Sequence, residues 1–199
     1  MSEPSRCWWA GPQPIYIAYH DEEWGVPSAD DRLMLEKLVL EGFQAGLSWI
    51  TVLNKRARFR EVFDNFDAEK IARYDERKIK NLLADAGIIR HRGKIEATIS
   101  NARAYLKLRE HKTLAAFLWD FVDGIPVQNA YARMEDMPGQ TDVSRAMAKA
   151  LKAKGFRFCG PTTVYAFMQS LGMVNDHLVG CHRHGTCTEL ARAFKAPKA

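Results

Sequence analysis

The sequence predicts an all-α protein built from many short helices. Three observations lead there. Apolar residues recur at helical spacing in seven separate stretches. No alternating apolar and polar run persists long enough for a strand. The glycine and proline breaks are short. The first stretch follows Ser28-Ala29-Asp30-Asp31, which reads as a capping box, and carries Leu35, Leu38, Val39 and Gly42. Val52, Phe59 and Phe63 form the second. Ile79, Leu82 and Leu83 form the third, with Gly87 as its expected stop. Ile95, Ile99, Ala102 and Leu106 mark a long fourth helix. Leu114, Phe117, Leu118 and Phe121 mark the fifth, and Val143, Met147, Ala150 and Leu151 the sixth. Val164, Phe167, Met168 and Leu171 close the series.

The breaks fall at Gly11-Pro12, Pro14, Gly124 to Pro126 and Pro138-Gly139. None is long enough for a flexible linker, so residues 1–185 read as one domain. Residues 186–199 read as a basic C-terminal tail, expected to be partly disordered. There is no internal repeat and no low-complexity run.

A chain of 199 residues that is 47% hydrophobic and 27% charged is long enough for a sizeable core and is no disordered chain. No apolar run reaches the ~18 residues of a membrane helix, and the N-terminus lacks a signal peptide's basic start and apolar stretch. The expectation is a cytoplasmic protein with no membrane partner. Four cysteines there suggest a metal or buried thiols before disulfides.

The formal charge of +5 permits a polyanionic partner, and it is unevenly spread. No acidic residue occurs between Asp142 and Asp176, whereas Arg145, Lys149, Lys152, Lys154 and Arg157 all do. They lead into Gly155-Phe156-Arg157-Phe158-Cys159-Gly160-Pro161-Thr162-Thr163. Gly155 and Gly160 permit backbone shapes closed to other residues, and Pro161 suits the first turn of a following helix. Free N–H groups at that helix start, beside lysines, suit a phosphate. The segment fits a helix-hairpin-helix that grips a nucleic-acid backbone. It equally fits a solvated basic helix before a turn. Arg90-His91-Arg92-Gly93-Lys94 is a second, weaker basic cluster.

Cys7 and His20 lie near one end of the chain; His177 and Cys181 lie near the other, spaced by one helical turn. Two thiolates and two imidazoles suit tetrahedral zinc with no position left for water, a structural staple. Separate side chains explain the same residues, and His182, His184 and Cys187 are substitute ligands. Cys159 reads as a small packed residue.

Tyr16, Tyr19 and Trp24 crowd one aromatic segment, and Glu41 lies in an apolar helix shortly before Trp49. A carboxylate in such a helix is costly unless paired or functional. The aromatics suit a stacking pocket for a flat base, or simply core.

Several segments together carry a resemblance. They are Tyr19-His20-Asp21 with Trp24-Gly25-Val26-Pro27, Glu41-Gly42 with Gln44 to Leu53, Ala86 to Ile95, Asn101 to Tyr105, Lys154 to Phe158 with Gly160-Pro161-Thr162, and Val174 to His177. In this order, from about Cys7 to about Cys181, the chain resembles the bacterial 3-methyladenine DNA glycosylase I family. The resemblance implies the helix-hairpin-helix DNA glycosylase fold, with structural Zn2+ on Cys7, His20, His177 and Cys181 joining the two ends. It implies that Glu41 contacts the damaged base, that Tyr16 and Trp49 line its pocket, and that Tyr19 and Trp24 stand nearby. Gln44, Ala45, Gly46 and Leu47 look like the segment that meets the DNA gap. Lys154, Gly155, Gly160 and Thr162 belong to the hairpin that would grip the backbone. The expected partner is double-stranded alkylated DNA, the product free 3-methyladenine, and the protein a monomer.

Two departures from the wider superfamily matter. Its bifunctional members carry a lysine shortly after the hairpin glycine, where this chain has Pro161, Thr162 and Thr163. The expected chemistry is therefore monofunctional. Most members also place an aspartate about 20 residues past the hairpin. Asp176 is the nearest here, comes early, and reads as a structural neighbour of a metal ligand.

Overall fold

The structure is a computed structural model describing residues 4–197. Its helices are α1 (Pro14–Ala18), α2 (Asp31–Gln44), α3 (Trp49–Leu53), α4 (Arg56–Val62), α5 (Ala68–Ile71) and α6 (Glu76–Ala84). They continue as α7 (Arg92–Arg109), α8 (Leu114–Trp119), α9 (Asp142–Ala153), α10 (Pro161–Ser170) and α11 (His182–Ala193). All seven apolar stripes fall on helices, though the second is split between α3 and α4. A two-residue parallel pair, Val127–Gln128 with Val174–Asn175, corrects the purely helical expectation. Strands this short leave no alternation for a sequence to display.

Helix α2 is the axis of the molecule, buried from Met34 to Phe43. Its cap is Asp30, whose side chain accepts from Leu33 N at 2.7 Å. Ser28, the expected cap, sits two residues too early and accepts from Asp30 N instead. At the other end, buried Lys94 donates to Phe43 O (2.9 Å) and Ala45 O (2.7 Å). A cation there satisfies orphan carbonyls and opposes the helix dipole. Arg92 is spent on Glu76 and Glu96, so much of the second basic cluster is structural. Helix α6 stops at Ala84, short of Gly87, whose N–H instead donates to Asp85 Oδ1.

Helices α7, α8 and α10 pack on α2, α9 packs on α10, and together they form the main core. A smaller core of Cys7, Tyr19, Trp24, Leu53 and Cys181 joins the chain's two ends. The C-terminal tail departs from expectation. Helix α11 runs through Ala193, burying Cys187 and Ala191, and the Phe194 ring packs on Trp119 at 4.5 Å. Few apolar residues mark that face, which is why it reads as unstructured. Lys198 and Ala199, also in that stretch, lie outside the described residues. Among the described residues, no helix is long and apolar enough to cross a membrane.

Candidate functional site

One short segment builds two sites back to back. Pro14 starts α1 at its first position, where a missing N–H costs nothing. The helix then widens into a π turn over Tyr19–Glu23. That segment sends Tyr16 and Tyr19 into a cavity of ≈ 210 Å³ and His20 into the Cys/His cluster.

The cavity brings together Tyr16, Tyr19, Trp24, Glu41 and Trp49, all singled out from the sequence. Glu41 comes from α2 and Trp49 from the start of α3, with the Tyr19 and Trp49 rings 5.3 Å apart. Glu41 is buried and, among the described residues, has no hydrogen-bond partner. Burial pushes its carboxyl up to about 8, against the pull of Lys37. Tyr16 and Tyr19 are also raised, by burial first and by the Glu41 charge second. Trp49 Nε1 is a buried donor without a partner among the described residues. A recess lined by rings, with one carboxylate and several unmatched polar atoms, suits a flat ligand that carries donors and positive charge.

Sequence reasoning missed five cavity walls: Trp9, Met134, Met137, Ala166 and Gln169. It also placed Gln44 on the DNA side only, whereas Gln44 lines the cavity too. Trp9 packs on Trp24 (4.9 Å) and His20 (5.1 Å), and its place two residues after Cys7 was the available signal. The methionines come from the loop after the small strand and carried no signal. Gln169 is held by Asp176 at 2.8 Å. That aspartate is fully buried and also accepts from Tyr165 OH (2.6 Å) and Asn129 Nδ2 (2.7 Å). Asp176 thus acts as a structural acceptor, anchoring the cavity wall.

On the other side of the segment, the ligand atoms of Cys7, His20, His177 and Cys181 lie within 4.8 Å of one another, all buried. Cys181 Sγ is 3.5 Å from His20 Nε2 and 3.6 Å from His177 Nδ1; Cys7 Sγ is 3.7 Å from His177 Nδ1. Tetrahedral ligands at ~2.3 Å (sulfur) and ~2.0 Å (nitrogen) from one ion would stand about 3.5 Å apart. The tautomers agree. His20 Nδ1 donates to Asp21 (2.7 Å) and His177 Nε2 donates to Trp24 O (2.9 Å), which leaves both remaining nitrogens as acceptors inside the cluster. The Cys7 thiol holds Cys181 well below the usual thiol range, and the same hydrogen bond, with burial, pushes Cys7 up. The cluster could hold a metal ion. His182 and His184 point elsewhere, to Ser5 O and Asn129 O.

The basic stretch forms α9 and the turn to α10. Gly155 takes a left-handed φ of +93°, as expected. Gly160 does not; its φ is −69°, and Phe158 is the left-handed residue instead (φ +57°). Pro161 opens α10 as expected. Asn101 clamps the turn, donating to Arg157 O and accepting from Arg157 N at 2.7 Å. A groove of ≈ 740 Å³ is lined by Arg145, Lys149, Lys152, Gly155, Arg157 and Gly160 among others. Arg145 pairs with Asp142; among the described residues, Lys149, Lys152, Lys154 and Arg157 pair with no carboxylate. Thr162 lies outside the groove, beside Met137 and Gln169. Gln44, Gly46 and Leu47 share an exposed turn at the end of α2. There Leu47 N donates to Gln44 O, and Gly46 (φ +83°) has open space about it.

Residues 9–184 match the family model described as methyladenine glycosylase. The chain is 50% identical over 177 residues to the DNA-3-methyladenine glycosylase 1 of Escherichia coli strain K12, covering 88% of this chain and 95% of that one. A crystal structure of 3-methyladenine DNA glycosylase I matches with a TM-score of 0.89 at 52% identity, covering 90% of this chain and 100% of that one. A second, of a variant of 3-methyladenine DNA glycosylase I in complex with 3-methyladenine, matches at 0.86 and 35% identity, over 89% and 96% of the two chains.

Proposed function

The chain belongs to the methyladenine glycosylase family, and from that membership we propose that it is a DNA-repair glycosylase. It hydrolyses the N-glycosidic bond of 3-methyladenine in double-stranded alkylated DNA. One observation carries the assignment to this cavity: Glu41 stands buried and unpartnered in a recess lined by Tyr16, Tyr19, Trp24 and Trp49.

The chemistry asks little of the protein. A methyl group on N3 makes the adenine cationic, so the base already leaves readily. The bond breaks towards an oxocarbenium ion, the bonding pair goes to the base, and water adds to the sugar. The protein must extrude the base, recognise it and position the sugar. Rings that face a cation contribute ~0.5–2 kcal/mol each, a preference over neutral bases. Glu41, ionised once a cationic base stands against it, adds hydrogen bonding and charge complementarity, chiefly for recognition.

The cavity lining contains no lysine among the described residues, which favours monofunctional chemistry with no Schiff base. The turn of Gln44, Gly46 and Leu47 beside the cavity would meet the gap left by the extruded base. The turn from Lys154 through Gly160 to Thr162, a helix-hairpin-helix, would hold the backbone.

Zn2+ fits the cluster of Cys7, His20, His177 and Cys181 by donor chemistry and spacing. Bound there, it would tie the two ends of the chain together, and four protein ligands would leave no position for water. One chain supplies the whole cavity and cluster, which fits a monomer. Four buried cysteines outside any disulfide fit the bacterial cytoplasm, where the DNA lies.

The test is incubation with methylated duplex DNA and chromatography of the released bases. Free 3-methyladenine and an intact abasic strand, with no borohydride-trapped cross-link, are expected. Release of no base from folded protein would sink the reading.

A further inference from the structure

Lys37 is fully enclosed in α2, yet the site described above does not use it. Its Nζ donates to Ser170 O at 3.1 Å and lies 5.2 Å from the Tyr19 ring centre, behind the cavity wall. The nearest carboxylate oxygen, on Glu23, is 3.8 Å away. Glu23 is already taken, by a two-pronged bridge from Arg56 at 2.6 Å on each oxygen. Glu36, its neighbour on α2, pairs with Arg60 at 2.7 Å. The ammonium therefore has no carboxylate of its own at hydrogen-bonding distance.

Glu41 stands one helical turn further along α2, on the same face. Among the described residues it has no hydrogen-bond partner. Set aside the neutral pair of Glu36 and Arg60. The charges that remain are buried Lys37 and Glu41 with half-buried Arg56 and Glu23, which sum to zero only when Glu41 is ionised. The other ionisable groups facing this set are Tyr16 and Tyr19. Lys94 is bound to carbonyls at the far end of α2, and Asp176 is saturated by three donors on the α10 side.

We propose that Lys37 is a positioning residue for the base-release reaction: its buried ammonium, one turn from Glu41, sets the pH at which Glu41 becomes the carboxylate that meets a cationic base. The catalytic part rests on the proposed function; the electrostatic part does not. Burial opposes ionisation at Glu41, and Lys37 is the charge that opposes burial. Burial likewise pushes Lys37 down to about 8, against Glu23 and Glu41, so the ammonium persists through neutral pH. Without Lys37, Glu41 would stay a neutral acid to higher pH and lose its charge complementarity for the substrate.

The experiment follows the Glu41 side-chain carboxyl by 13C NMR against pH, with its signal assigned by its absence in Glu41→Gln. In Lys37→Met the titration midpoint should rise by about one pH unit or more. In Lys37→Arg, which keeps the charge, it should stay near the wild-type value. The acid limb of single-turnover base release should rise with it in Lys37→Met. An unmoved midpoint in folded Lys37→Met overturns the proposal. A moved midpoint with an unmoved acid limb overturns the catalytic part. Should Lys37→Met not fold, Lys37→Gln decides: the midpoint should rise, and one that does not rise overturns the proposal. If the wild type releases no base, the proposed activity fails while the carboxyl titration still decides what Lys37 does.

Discussion

The Cys/His cluster and the aromatic cavity share the Tyr16–Trp24 segment, yet they treat polar atoms in opposite ways. In the cluster every histidine nitrogen has a purpose: one hydrogen bond outward, one lone pair inward. In the cavity Glu41 and Trp49 Nε1 are buried with no hydrogen-bond partner among the described residues. Buried polar groups left unmatched cost free energy, and folds retain them where a ligand completes them. On the proposed function, the cluster serves stability and the cavity serves binding. Substitutions on the two sides should therefore separate stability from activity.

The largest effect belongs to the cluster. Under the zinc proposal, Cys181→Ala should abolish stoichiometric zinc and cost about 4 kcal/mol or more of stability. Metal analysis and chemical denaturation check both. A variant that loses the metal and keeps wild-type stability would remove the staple from the account.

Glu41→Gln should do the reverse. Base release should fall by about 100-fold or more, as when one preorganised contact to the reacting group is lost. Stability should hold or rise near neutral pH. The sign follows from the raised carboxyl, at about 8 in the folded protein against a usual value of 4.5. Between those values the unfolded chain loses a proton that the folded chain keeps, so this group makes stability fall as pH rises. Denaturation of the two proteins at pH 5 and pH 8 measures it. Glu41→Gln should gain on the wild type from the lower pH to the higher, and a constant difference would contradict the burial argument.

Gly25→Ala tests the wall between the two sites. A Cβ there would stand 3.0 Å from both Cδ2 and Nε2 of the His177 ring, on a backbone at φ +80°. Left-handed strain and the contact together should cost roughly 1–3 kcal/mol. The displaced ring should weaken metal retention before it alters base release, and chelator-competition kinetics beside the release assay would show the order.

These residues also mark how far the sequence could be read. Helix periods and Pro161 as a helix start were legible from local spacing, whereas the grouping of Cys7 and His20 with His177 and Cys181 rested on the family resemblance, since spacing alone left separate side chains open. Glu41 announced itself as a carboxylate among apolar neighbours. Met134, Met137, Ala166 and Gln169 did not, because only long-range packing brings them to the cavity, and Trp9 had only its place two residues after Cys7 to mark it. Phe158 in the left-handed region was invisible for a different reason: two glycines nearby were the obvious candidates, and the fold used one of them. Helix α11 was missed because its buried face is carried by Cys187, Ala191 and little else.

The smallest effect tests whether the groove beside the hairpin belongs with the cavity or is mere surface. Lys149 and Lys152 line it without a carboxylate partner, so replacing them breaks no ion pair. Lys149→Gln and Lys152→Gln should each leave stability within about 0.5 kcal/mol of the wild type. If each ammonium meets a phosphate, each substitution removes one counterion released on binding. The slope of log affinity against log salt should then fall by about 0.9 per lysine. The loss should be equal for methylated and unmethylated duplexes, since a phosphate contact carries no base information. Fluorescence anisotropy over a salt series on both duplexes makes the measurement. An unchanged slope would return the groove to ordinary solvated surface, leaving the turn at Gln44 to Leu47 as the DNA contact to test next.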